Sequence, residues 1–175
     1  MSHVDADRDV VQISGLLTGA ARTIAKVPYC WLVTHAETGG IHARPMGHIL
    51  PNSDEDAWTI RFIADGRSRK ARDIRGTRRT EIIFQHDAGD AYAVLSGSAT
   101  LLEGPEVRRL WKRAYDAFIP DEEARAHALF AEVKVERMEL WIRGVTPEPF
   151  GLKPTVLERD AGGCWRLCRN DPNPA

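Results

Sequence analysis

The chain has no apolar run approaching the ~20 residues that a helix needs to cross a bilayer, which argues against a helical membrane span. Its opening, Met-Ser-His-Val-Asp-Ala-Asp-Arg-Asp, is polar and acidic and does not have the pattern of a secretory signal. Only three cysteines occur, and their spacing is not that of a disulfide framework. Cys164 and Cys168 on one strand face would stand ~13 Å apart at ~3.3 Å per residue. That is too far for a bridge, which needs α-carbons closer than about 7 Å. A C-x-x-x-C pair without further ligands is equally poor as a metal site. Reduced thiols in a cytoplasmic protein are the expectation. Neither sign of charge dominates: 24 basic residues face 25 acidic ones, for a net charge of −1. A nucleic-acid-binding domain shows a basic balance or a long basic face instead. There is no G-x-G-x-x-G, no internal repeat and no low-complexity stretch.

What remains is an ordinary globular composition over 175 residues, read as a single domain spanning 1–175. Its distinctive stretch is Phe62 to Ile74, F-I-A-D-G-R-S-R-K-A-R-D-I. The apolar run Trp58 to Ala64 breaks at Asp65-Gly66, and a short amphipathic segment follows from Ser68 to Gly76. Ser68 suits a helix N-cap and Gly76 a helix stop. The first N–H groups of a helix lack internal partners and carry the positive end of its dipole. With Arg69 and Lys70 beside them, this is a site for a phosphate monoester. From Arg61 to Arg79 there are eight basic residues against Asp65 and Asp73 alone, a local excess of six. An excess so compact suits a small anion.

Around this stretch the chain alternates short elements. Asp5 to Lys26 has a helical period through Val10, Ile13, Leu17 and Ile24. Strands are expected at Tyr29–Ala36 and Ile41–Leu50 across a Thr38-Gly39-Gly40 turn, then at Trp58–Ala64 and Arg79–Gln85. On the second strand His42, Arg44, Met46 and His48 share a face. Arg44 there either points at a ligand or sits on a wet sheet face. Pro45 puts the strand at an edge or a bulge, and neither histidine has the cluster a metal site requires. Asn52–Asp56 reads as a solvent-facing acidic loop. Ala91–Leu102 is a long strand whose Gly97 implies a bulge or a close backbone approach. A helix from Pro105 carries the stripe Val107, Leu110, Trp111, Ala114 and Phe118 and ends at Pro120. A shorter helix from Asp121 carries Ala124, Ala128, Leu129 and Val133. A strand over Val133–Val145 and a hairpin of Thr155–Arg159 with Cys164–Arg169 close the chain, before a flexible tail over 170–175. About seven hairpin-linked strands with peripheral helices predict a mainly β fold, a closed antiparallel barrel.

These residues resemble the FMN-phosphate segment of the pyridoxamine 5′-phosphate oxidase-like flavin split barrels. The resemblance extends to Arg44-Pro45-Met46, Leu95-Ser-Gly-Ser-Ala99, Leu110-Trp111, Tyr115, Phe118-Ile-Pro120 and Glu139-Leu-Trp141. The later pieces resemble the general-stress-protein branch. It implies a split barrel and a homodimer with two FMN molecules at the subunit interface. It further implies that Arg69 and Lys70 bind the FMN phosphate beside Ser68, and that Arg44 reaches the phosphate or ribityl chain. Pro45 and Met46 would run along the flavin, and Ile63 and Ala64 would offer backbone contacts to the isoalloxazine edge. Tyr92 stands where the oxidase branch has Gln, and Trp141 would approach from the second subunit. The vitamin oxidases carry an Arg-x-His motif for the substrate phosphate, and Gly144–Lys153 has neither residue. The expectation is therefore an FMN-dependent oxidoreductase acting on some other small molecule. The alternatives are a flavin-binding stress module without turnover, or a split barrel holding haem or a deazaflavin, with His48 or His86 as a haem ligand.

Overall fold

The structure, a computed structural model, describes residues 3–119 and 121–168. Eight strands form one sheet: β1 (Tyr29–His35), β2 (Ile41–Gly47), β3 (Thr59–Asp65), β4 (Arg79–His86), β5 (Ala91–Leu102), β6 (Ala128–Ile142), β7 (Thr155–Arg159) and β8 (Trp165–Leu167). Their order is β2-β1-β4-β5-β6-β7-β8, with β3 paired to β6 off that path. The sheet is mainly antiparallel, as expected, and has eight strands where about seven were predicted. It is not closed, which corrects the expectation of a closed barrel. Strand β2 ends at Gly47, and beyond it an isolated bridge, Ile49 to Arg61, links this segment to β3. Pro45 lies on the terminal strand of the order, where its missing N–H breaks no interior ladder.

The described residues divide into two compact units: 3–30, 82–96 and 136–168 make one, and 31–81 with 97–119 and 121–135 the other. In the first, helix α1 (His3–Lys26) buries Leu16, Ala20, Thr23 and Ile24. Its buried face differs from the predicted stripe, for Val10 is 66% exposed. The cause is close approach at Gly19, where a Cβ would lie 2.9 Å from Val145 Cγ1. Gly15 meets nothing, so its presence there has no packing reason. Strands β6 and β7 pair from Arg137↔Glu158 to Leu140↔Thr155, and Arg137 is ion-paired to Glu139 and Glu158.

In the second unit β3 pairs with β6 from Thr59↔Lys134 to Asp65↔Ala128. Phe62, Ala64, Phe130 and Val133 are fully or almost fully buried. A Cβ at Gly97 would overlap the Lys134 carbonyl oxygen, so the mid-strand glycine marks a close backbone approach. Helix α2 (Arg69–Thr77) packs Ala71 against Ala64 and Leu129. It runs past the predicted stop at Gly76 to a left-handed cap at Arg78, φ 59°. Gly76 stays inside the helix because a Cβ there would come within 2.6 Å of Glu37 Cγ.

Two helix expectations fail. The stripe from Val107 to Phe118 is not one helix: α3 (Pro105–Leu110) stops at extended Trp111, and a 3-10 turn follows over Arg113–Ala117. Trp111 donates Nε1–H to Asp116, meets the Tyr115 ring edge-on at 5.9 Å and packs against Phe130 with ring centroids 6.0 Å apart. Phe118 is 63% exposed, and the stop assigned to Pro120 lies outside the described residues. Likewise α4 (Glu122–Ala126) is short, and Ala128, Leu129 and Val133 belong to β6, whose ladder with β3 takes them. The predicted flexible tail, 170–175, also lies outside the described residues. No described helix is long and apolar enough to cross a membrane.

The loop 52–56 faces solvent as expected at 52–54 and 56, but Glu55 is half-buried and committed to Arg61. Glu55 takes two hydrogen bonds from Arg61, at 2.9 and 2.7 Å, and Arg61 Nε–H donates to Glu132 at 2.7 Å. Arg61 is 9% exposed, and the guanidinium holds the Glu55 carboxyl down to about 2 from the ordinary 4.5. A depressed carboxylate contributes stability that is full above its unfolded pKa and lost as pH falls through the folded one. Glu55→Gln is therefore expected to lower unfolding free energy by about 1–2 kcal/mol at pH 7. In denaturant titrations that difference should shrink as pH falls from about 4.5 towards about 2. A pH-independent difference would show that the charge does not matter.

Candidate functional site

The turn from β3 into α2 is built as the sequence implies. Asp65 Oδ1 accepts from the Arg67 backbone N–H at 2.8 Å, making the tight turn through Gly66. Ser68, in extended conformation, caps α2, its Oγ accepting from Ala71 N–H at 3.4 Å. The helix thereby presents its positive end at Ser68, Arg69 and Lys70.

The basic excess of this region then sorts into two groups. Arg61 is held by Glu55 and Glu132, Arg67 by Asp65, and Arg75 by Glu103 and the Gly66 carbonyl. Arg69 and Lys70 have no carboxylate ion pair among the described residues, and neither have Arg72, Arg78 and Arg79, which are exposed away from the helix entrance or on its outer face. Lys70 is half-buried, and burial together with the nearby positive charge of Arg44 holds its ammonium below its ordinary pKa. Burial and the charge of Arg69 likewise lower that of Arg44, with Asp73 acting in the opposite direction. The charge of Arg69 thus acts on Arg44 and that of Arg44 on Lys70, both half-buried, while Arg69 itself is exposed. An anion there would relieve Arg44 and Lys70.

Arg44 faces inward, which settles the two orientations its strand allowed. Its NH1 and NH2 groups both donate to Thr34 Oγ1 on β1, at 2.9 and 3.0 Å. Thr34 in turn donates to Asp73 Oδ2 at 2.7 Å, and His42 Nδ1 lies 2.9 Å from the same oxygen. Asp73 is 5% exposed. Burial pushes its carboxyl up, but the bonds from Thr34 and His42 and the charge of Arg44 outweigh that, so it stays below the usual carboxylate range. An ionised carboxylate only accepts, so His42 Nδ1 carries a proton and donates it to this bond. Asp73, Thr34 and His42 were not among the predicted site residues. The one available signal was an acid at the i+3 position from Lys70, inside an otherwise basic helix.

The other predicted residues are distributed as follows. Pro45 is exposed and Met46 half-buried on β2. On β3, Arg61 exchanges both backbone bonds with Ile49, and Gly66 N–H bonds to His127 O. Antiparallel alternation therefore turns the Ala64 backbone towards β6 and that of Ile63 away from it. Ile63 thus turns its N–H and C=O groups away from the β6 ladder, where Ala64 turns its own towards it. Tyr92 and Trp141 belong to the first unit. Tyr92 donates to Asp87 at 3.2 Å and packs beside Phe150, and partial burial and Asp87 raise its phenol pKa. Trp141 is half-buried on β6. In the loop that follows, Glu148 folds back to accept from Phe150 N–H at 2.6 Å, and Lys153 is exposed. Arg143 is taken up by Asp90 at 2.7 Å and stacks over Phe150.

Residues 19–147 match the family described as pyridoxamine 5′-phosphate oxidase like, and the chain belongs to that family. No curated protein sequence matches it. Among solved structures it is similar to a pyridoxamine 5′-phosphate oxidase-related, FMN binding protein from Nostoc punctiforme. That pair shares 16% identity over 87% of this chain and 91% of the other, with a TM-score of 0.63. A protein related to general stress protein 26, from Clostridium acetobutylicum, shares 13% identity over 82% and 94%, with a TM-score of 0.65. A heme binding protein from Mycobacterium smegmatis shares 19% identity over 69% and 51%, with a TM-score of 0.50. At these identities the likeness carries the fold, a split barrel, and its relatives include general stress proteins.

Proposed function

We propose that this chain binds FMN by its phosphate and serves as an FMN-dependent oxidoreductase of the general-stress-protein type, acting on a small molecule. The fold alone does not choose the cofactor, since its neighbours include both an FMN binding protein and a heme binding protein. The observation that carries the choice is the cluster of Arg44, Arg69 and Lys70, in which Arg69 and Lys70 lack carboxylate ion pairs. A phosphate monoester brings a charge of about −1.5 to −2 and three acceptor oxygens. Arg69, Lys70 and Arg44 would hold it beside Ser68, and the outward backbone of Ile63 would meet the ring edge. Met46 and Pro45 would lie along the flavin. Tyr92 and Trp141 enter on the family resemblance, and the backbone of Ala64 is already committed to β6. Bound there, FMN would supply the electron and hydride chemistry, while the protein anchors, orients and sets the electrostatics.

The reading includes one domain over 1–175, working as a homodimer with the flavin at the subunit interface. Exposed apolar side chains on the β1–β2 hairpin support the dimer: Trp31 is 47% and Ile41 65% exposed. A cytoplasmic setting fits the free cysteines Cys30, Cys164 and Cys168. A flavin-binding module without turnover is the second reading. It is favoured by the commitment of His42, one of the two histidines on that face of β2, to holding the buried Asp73.

Lys70→Ala and Arg69→Ala should each weaken FMN binding roughly tenfold to a hundredfold while leaving riboflavin binding nearly unchanged. Fluorescence titration with both ligands checks this, and equal losses would place the phosphate elsewhere. Light scattering of the FMN-loaded protein should give a dimer; a monomer holding stoichiometric FMN would refute the interface. The loaded protein should show little or no aerobic oxidation of pyridoxine or pyridoxamine phosphate, because Gly144–Lys153 lacks the Arg and His that would grip those substrates. Turnover at about 1 s⁻¹ or faster would restore the vitamin oxidase assignment.

A further inference from the structure

We infer that Asp73 and Thr34 are positioning residues for the phosphate anchor, acting through Arg44; the inference rests on reading the cationic cluster as a phosphate site. Thr34 has one hydroxyl proton, and it goes to Asp73 Oδ2 at 2.7 Å. The Thr34 oxygen therefore meets Arg44 with lone pairs only, and accepts from NH1 and NH2 together. The order of the chain, carboxylate to hydroxyl to guanidinium, is fixed by that single proton. Reversing the Thr34 hydroxyl would set its proton against the Arg44 donors and leave a buried carboxylate oxygen short of a bond.

The interposed hydroxyl changes what the arginine can do. A direct bidentate Arg–carboxylate pair would use the same number of donors, two, but would neutralise the guanidinium at contact. Here Arg44 NH2 stands 4.0 Å from Asp73 Oδ2. Thr34 takes one N–H from each terminal nitrogen, and a guanidinium has five, so three remain for a ligand. Asp73 is thus close enough to offset part of the charge and too far to occupy the fork. Arg44, Arg69 and Lys70 carry three positive charges and Asp73 one negative, leaving an excess of two from these four side chains. That excess matches a phosphate dianion. His42, bonded to the same oxygen, completes the set of side chains that hold the carboxylate ionised.

The placement of Asp73 in the second turn of α2 gives the arrangement its reach. Ser68, Arg69 and Lys70 open that helix, so one rigid element carries both the N-terminal cations and the carboxylate that orients Arg44 from β2. Thr34 is fully buried on β1 between them. Loss of its hydroxyl would free Arg44 to turn while leaving the size and packing of the site intact.

The test compares FMN and riboflavin affinities for Thr34→Val and Thr34→Ser, with Lys70→Ala alongside. Valine keeps the shape and removes the hydroxyl; serine keeps the hydroxyl. Thr34→Val is expected to lose FMN affinity about tenfold. Its riboflavin affinity should be unchanged, and Thr34→Ser should stay near the parent protein. A parental FMN-to-riboflavin ratio in Thr34→Val would overturn the inference, as would an equal loss in Thr34→Ser, which would mean packing and not the hydroxyl. If Lys70→Ala lowers the ratio and Thr34→Val does not, positioning fails while the phosphate site stands. If neither changes it, both fail. Should Thr34→Val not fold, Asp73→Asn replaces it, with the same selective loss of FMN expected and an unchanged ratio counting against the inference.

Discussion

A carboxylate removed from water is costly unless its oxygens are hydrogen-bonded. Asp73 meets that condition with partners from two other elements, Thr34 on β1 and His42 on β2. The bond set ties α2 to the β1–β2 hairpin, and the orientation of everything at the start of α2 follows from it. Arg44 would otherwise be a long side chain on the terminal strand of the sheet, with many rotamers open to it. Held by Thr34, it has one direction. A single buried charge therefore fixes the helix, the hairpin and the arginine together.

The electrostatics of the second unit follow a division of labour among its basic residues. Arg61 serves the fold, clamped between Glu55 and Glu132 and pinning the 52–56 loop to β3. Arg67 and Arg75 serve the turn, the first closing on Asp65 and the second on the Gly66 carbonyl and Glu103. Arg44 and Lys70, half-buried, and Arg69, exposed at the first position of α2, leave positive charge to spare at the helix entrance. Like charges held so close disfavour one another, and a fold tolerates that most readily where a ligand resolves it. Net charge could not have shown this, because the chain as a whole is nearly neutral.

Much of the architecture was legible because the signals were local. Period-two strands, the Gly39-Gly40 turn, the Ser68 cap and Gly97 each report on neighbours within a few residues or on one backbone contact. The face of α1 was not legible, because Gly19 lets the helix approach Val145 and that approach selects Leu16 and Ala20 over Val10. The break at Trp111 was hidden for a similar reason: a helical stripe and an aromatic cluster around Phe130 use the same apolar residues. At the site, Ser68, Arg69, Lys70 and Arg44 announced themselves by type and spacing. Thr34 did not, since a threonine on a buried strand is unremarkable until Asp73 is placed beside it. Glu55 was misread because its partner Arg61 lies across a loop whose path the sequence does not give.

Pro45 has an effect beyond its own position. Strand β2 is the last in the sheet order, and an open edge normally invites another strand to extend the ladder. A proline within it interrupts the row of donors that such growth needs. The apolar side chains exposed nearby, Trp31 and Ile41, stand out from the plane of the sheet and not along it. Whatever covers them must lie across the hairpin face to face, making contacts through side chains. The same residue that ends the sheet thus separates two kinds of association, leaving orderly docking open while closing the route to edge-to-edge stacking.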